Sequence, residues 1–82
     1  MDWDAIGFVK ASNIRTQILK KLASKPMSPK ELKVELSLHF SQVSLVLREM
    51  RDMKLIECLT VDRSKGKIYG ITELGMKVLQ GL

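Results

Sequence analysis

The sequence predicts a mainly helical fold carrying one β-hairpin, in the order helix, helix, helix, hairpin, helix, with a short helical extension in front. Three observations predict it. Apolar residues recur at helical spacing in three separate stretches between Ser12 and Met53. The period then changes to alternation, with β-forming residues over Leu55–Val61 and again over Lys67–Ile71. Thr72 finally opens another helical stripe that runs to about Gln80.

From Ser12 to Lys25, the residues Ile14, Ile18, Leu19 and Leu22 share one face of an amphipathic helix, while Arg15, Lys20 and Lys21 project elsewhere. Ser12 is the expected N-cap, because its hydroxyl can accept from a free backbone N–H of the first turn, and Pro26 disfavours helical geometry at Lys25. Ahead of it, Trp3, Ile6 and Val9 form a shorter stripe, read as a helical extension over residues 1–11 that ends near Gly7 or Ala11. Ser28-Pro29-Lys30-Glu31 is a sharper start signal, with Ser and Glu at capping-box spacing and Pro at the first helical position. That helix carries Leu32 and Leu36 inward until about Ser37. After Leu38-His39-Phe40, Ser41 is expected to cap a helix over 41–53 whose Val43, Leu47 and Met50 face the core. Asp62-Arg63-Ser64-Lys65-Gly66 supplies the turn between the two strands and gives the hairpin a basic tip. Thr72 caps the last helix, in which Leu74, Val78 and Leu79 turn inward.

Composition narrows the function. The chain has 14 Lys+Arg against 9 Asp+Glu, a formal net charge of +5, and is 45% hydrophobic, which excludes charge-driven disorder. No apolar run approaches the roughly 20 residues that span a bilayer, and Met1-Asp2-Trp3-Asp4 is acidic where a signal peptide is basic. A soluble, cytoplasmic protein is expected. One cysteine, Cys58, and one histidine, His39, exclude an internal disulfide and a conventional zinc site built from one chain. With no Gly-rich phosphate loop and no His/Cys/Asp constellation, neither an enzyme nor a bound cofactor is expected. Residues 1–82 are read as a single domain, small enough that a binding surface is favoured over a deep pocket.

A tight turn between the second and third of three helices, followed by a hairpin, is a helix-turn-helix with a wing. On that frame four segments resemble the winged-helix transcriptional regulators, especially the multiple-antibiotic-resistance and arsenical-resistance repressor groups and their small archaeal relatives. Ser12 opens the matching span. Ser28-Pro29-Lys30-Glu31-Leu32 resembles the start of the family's second helix, and Val43-Ser44-Leu45-Val46-Leu47-Arg48-Glu49-Met50 its recognition helix. Met53-Lys54-Leu55-Ile56 resembles the exit into the first wing strand, and Tyr69-Gly70-Ile71-Thr72-Glu73-Leu74-Gly75 the step into the last helix. The resemblance reaches Leu79. It implies a sequence-specific binder of double-stranded DNA that regulates transcription as a homodimer, with helix 41–53 in the major groove and wing 62–67 on the backbone. Two positions depart from the family's pattern: Lys54 stands where a Gly commonly ends the recognition helix, and Leu45 where an Arg is frequent.

The expected DNA contacts follow from those elements. Arg48 and Arg51 on the helix and Arg63, Lys65 and Lys67 on the wing can neutralise phosphates and release counterions. Glu49, Asp52, Glu57 and Asp62 partly offset them, so a merely solvated face is the alternative. Ser41, Gln42 and Ser44 begin the helix, where side chains reach base edges; Gln pairs with adenine through two hydrogen bonds, while Ser41 can equally act as a cap. Leu45 cannot donate to phosphate or guanine, so it either touches a thymine methyl group or turns that face toward something else. This last feature, with the diluted charge, favours the rival reading of a protein-docking module. His39 and Cys58 are read as structural, and the five methionines as core filler. Trp3 and Phe8 lie outside the minimal unit, so the first segment covers its own core or a partner; Trp3, Ile6 and Phe8 are expected in or near a dimer interface.

Overall fold

Five helices and a two-stranded antiparallel sheet occur in the predicted order in the computed structural model, which describes residues 2–60 and 66–82. They are α1 (Trp3–Lys10), α2 (Asn13–Ser24), α3 (Pro29–Leu36), α4 (Phe40–Asp52), β1 (Ile56–Cys58), β2 (Tyr69–Ile71) and α5 (Glu73–Gln80). Local chemistry sets most of the boundaries. Ser12 Oγ accepts from the Arg15 N–H at 3.3 Å and starts α2. Ser28 and Glu31 form the reciprocal capping box of α3, at 3.1 Å in both directions. The Ser28 backbone N–H holds the Glu31 carboxyl below its ordinary pKa. The contribution of that half of the box is therefore present above the ordinary carboxylate pKa and lost as pH falls through the lowered one.

The start of α4 differs from expectation. His39, not Ser41, is the N-cap, and Ser41 lies inside the first turn. The cause is Gln42, which at the third helical position reaches back so that its Oε1 accepts from the His39 N–H at 3.2 Å. Both strands are also shorter than the alternating runs, and β2 has a partner on its other edge that the sequence pattern did not reveal. Met27 and Tyr69 exchange backbone hydrogen bonds of 3.0 and 2.9 Å, tying the α2–α3 connection to the root of the hairpin. Between β1 and β2 the register is Ile56↔Ile71, Glu57↔Gly70 and Cys58↔Tyr69.

Helices α3 and α4 both end in a Schellman arrangement. Leu38 N–H donates to the Lys33 carbonyl at 3.0 Å and Ser37 N–H to Val34 at 3.4 Å; Leu55 N–H donates to Met50 and Lys54 N–H to Arg51, both at 2.9 Å. Ser37 (φ 53°) and Lys54 (φ 62°) supply the left-handed residues. Leu55 and Met50, joined by the bond that spans more of the chain, are fully buried, so the turn that ends α4 is fastened from within the core.

The core is one cluster to which every helix contributes. Ile18, Leu19 and Leu22 of α2, Leu32 of α3, Val43, Leu47 and Met50 of α4 and Val78 of α5 are buried, as the periodicity predicts. Val46, Met27 and Ile56 join them, while Ile14, Leu36, Leu74 and Leu79 pack only partly against them. Helix α1 belongs to the same cluster. Ala5, Ile6 and Val9 are buried against the domain's own interior, with α1 packed on α2 and α5. This corrects the expectation for Ile6, which is 5% exposed and has no surface left for a partner chain. Phe8 is half-buried beneath the Arg15 guanidinium, 3.8 Å from its ring centroid, because α2 brings that cation over it. Trp3 remains 72% exposed. Of the methionines, Met27 and Met50 are core, whereas Met76 is exposed on α5 and does not fill the interior.

Candidate nucleic-acid interface

Helix α4 buries Val43, Val46, Leu47 and Met50 and leaves Ser41, Gln42, Leu45, Arg48, Arg51 and Asp52 exposed, with Ser44 half-buried. The burial of one stripe orients the other. Because the Schellman turn and Thr72 fix where α4 stops, the exposed stripe faces outward beside the hairpin. Thr72 Oγ1 donates to the Lys54 carbonyl at 2.7 Å and accepts from the Gly75 N–H at 3.0 Å, joining the end of α4 to the start of α5 through one hydroxyl.

A groove of about 520 Å³ lies between the second half of α4, the first residue of α3 and the hairpin root. Ser44, Arg48, Arg51, Asp52, Lys54 and Tyr69 line it around Leu47 and Pro29. Three cations thus face one carboxylate in a concavity. A second depression shares Pro29 and brings Lys30, Phe40, Gly66 and Lys67 together. The Met27–Tyr69 bridge is what places the start of α3 beside the hairpin and sets these two hollows on either side of Pro29.

The acidic residue nearest the centre of α4 is neutralised. Arg15 Nη2 donates to Glu49 Oε2 at 3.2 Å while Nη1 donates to the Phe8 carbonyl at 2.8 Å. Both side chains are largely covered, at 20% and 32% exposure, so the pair is screened less than a surface ion pair. Glu49 therefore subtracts little from the positive field of α4, contrary to the offset read from sequence. The same arginine links α1, α2 and α4.

Of the residues expected to touch DNA, Ser44, Arg48 and Arg51 are brought into one groove and Lys67 into the adjoining one. Ser41 and Leu45 stand on the outer face of α4, and Gln42 is exposed there but also spends its Oε1 on the helix start. Arg63 and Lys65 lie outside the described residues. Sequence reasoning missed Lys30, Lys54 and Tyr69 as groove residues. Lys54 carried a signal, being a lysine at a position that favours glycine, whereas Tyr69 depends on a bridge between segments far apart in sequence. Among the described residues no group of three or more His, Cys, Asp or Glu could hold a metal ion, and no helix is long and apolar enough to cross a membrane.

An exposed recognition-type helix after a tight turn, an antiparallel hairpin behind it and a basic groove between them define a winged-helix protein. No protein-family model matches the chain, and no curated protein matches its sequence. Among solved structures the chain is similar to HlyU from Vibrio cholerae N16961, with a TM-score of 0.71 and 25% sequence identity, covering 99% of this chain and 89% of that one.

Proposed function

We propose that this protein binds double-stranded DNA as a cytoplasmic, non-enzymatic transcriptional regulator, with α4 in the major groove and the hairpin on the flanking backbone. The observation that carries the reading is the groove in which Arg48, Arg51 and Lys54 converge beside the exposed face of α4. Similarity across nearly the whole chain to HlyU supports it. Arg48 and Arg51, with Lys67 and the sequence-assigned Arg63 and Lys65, contact phosphates; Ser41, Gln42, Ser44 and Leu45 face the bases. The protein acts as a homodimer, so that two copies address half-sites about one helical turn apart. Trp3 on α1, Met76 on α5 and Leu82 just beyond it are exposed apolar groups that the second copy would cover.

Binding of a mixed-sequence duplex followed by fluorescence anisotropy across a salt series tests the reading. Each phosphate contact contributes roughly 0.9 to the slope of log affinity against log salt. Changing Arg48 and Arg51 together to Gln should therefore flatten the slope by about 2 and weaken all sequences alike. An unchanged slope would remove this groove from the interface. The rival reading, a protein-docking module, draws on exposed Leu45 and Val34; such a module would show no steep salt dependence with DNA.

Lys54 supplies a second test. A lysine held at positive φ costs roughly 1 kcal/mol relative to glycine. Lys54→Gly is expected to raise the urea midpoint by a stability of about that size while weakening duplex binding. A variant that gains stability and keeps full affinity would show that the lysine makes no phosphate contact.

A further inference from the structure

Leu45 is 54% exposed on the helix that the groove flanks. At 3.6 residues per turn it stands roughly opposite the buried Val43, Leu47 and Met50, at the centre of the outward face. One turn before it are Ser41 and Gln42; one turn after it are Arg48 and Glu49. A branched apolar side chain at this place is not used by the fold. Nor does it belong to an apolar patch of the kind that anchors a protein partner, since its helix neighbours are a hydroxyl, an amide, a guanidinium and a carboxylate already paired with Arg15.

The surroundings instead complement a polyanion. Arg48, Arg51 and Lys54 line the groove along one side of α4, and Lys30 and Lys67 continue the cationic rim beyond Pro29. Between two rows of phosphates, the apolar feature that duplex DNA presents in its major groove is the C5-methyl group of thymine. We infer that Leu45 is a specificity-determining residue that reads a thymine C5-methyl group, giving the protein a preference for a thymine at one position of each half-site. The inference rests on the proposal that α4 enters the major groove. It adds the chemical class of base that the helix selects, and it accounts for a leucine where an arginine would select guanine.

The test uses the full chain and the tightest duplex recovered from a randomised pool. Each thymine of that duplex is replaced singly by deoxyuridine, which removes the methyl group and leaves base pairing intact. One thymine in each half-site should be sensitive, with affinity falling about four-fold, the equivalent of one buried methyl group. Leu45→Ala should bind the thymine duplex more weakly by at least that factor and be indifferent to deoxyuridine at the same position. Alanine is the best helix former, so the variant keeps α4, and its far-ultraviolet circular dichroism checks this. Placing 5-methylcytosine in a C·G pair at that position should recover part of the lost affinity in the native chain only. Tight, salt-dependent binding with no deoxyuridine effect would overturn the inference while leaving the DNA reading intact, as would a Leu45→Ala variant that stays deoxyuridine-sensitive. Failure to bind any duplex would overturn both.

Discussion

Gly75→Ala is expected to destabilise the protein by about 3 kcal/mol or more, at the upper end of what overpacking costs. A Cβ at this position would lie 2.2 Å from the Leu55 carbonyl oxygen and 2.6 Å from Ile71 Cγ1. The oxygen cannot withdraw freely, because it accepts from the Thr72 N–H at 3.0 Å. Nor can α5 back away, since Thr72 is bound at once to Lys54 and to the first turn of α5. The glycine thus sets how closely the last helix approaches the exit of α4. For a domain of this size each kcal/mol lowers the melting temperature by about 4–8 °C, so the loss is easily read by thermal denaturation. Gly7 is the internal control. It lies in the exposed part of α1 with nothing within 4 Å of an added Cβ. Gly7→Ala should therefore stabilise the protein, by up to about 1 kcal/mol. Equal effects at the two glycines would show that backbone propensity, not the close approach at Leu55, governs position 75.

Removing the first eleven residues is expected to have an effect of similar size. The shortened chain loses Ala5, Ile6 and Val9 from the core and the cover over Phe8's partner Arg15. Emptying one large buried aliphatic position costs about 2–5 kcal/mol, and here a whole packed helix face departs. A chain beginning at Ser12 should therefore unfold at distinctly lower urea. Trp3→Ala separates packing from assembly. Its side chain is exposed, so the change should leave stability within about 0.5 kcal/mol. If the proposed homodimer uses this residue, sedimentation of Trp3→Ala will show a weaker dimer at unchanged stability. A native chain that sediments as a monomer at micromolar concentration would remove the dimer altogether, and a truncation as stable as the native chain would remove α1 from the core.

The helix starts at Ser12, Ser28 and Thr72 were legible because a cap is a local transaction between a side chain and a backbone N–H three residues on. The start of α4 was misread for a related reason. Ser41 has the stronger intrinsic preference for a cap, but the spacing from His39 to Gln42 permits the back-reaching bond from the Gln42 side chain that fixed the boundary. Arg48 and Arg51 were legible as cations on an outward face, since a helix that buries every third or fourth residue must expose those between them. The pairing of Glu49 with Arg15 was not, because the two are 34 residues apart and no periodicity connects them.

By itself the sequence determined the order of elements, the inward stripe of each helix, the basic character of α4 and the hairpin, and the place of Gly75 in a Thr-x-x-Gly step. These are short-range properties, written in the spacing of apolar residues and in hydroxyl and glycine chemistry. Tertiary structure alone decided the rest. It buried α1 in its own core, closed the groove by joining Met27 to Tyr69, neutralised Glu49 and brought Lys54 beside Arg48 and Arg51. It also supplied the reason for the glycine, which is a carbonyl oxygen twenty residues earlier in the chain. Each of these depends on surfaces distant in sequence meeting at a particular distance, and that distance is set by packing of the whole core rather than by any one segment.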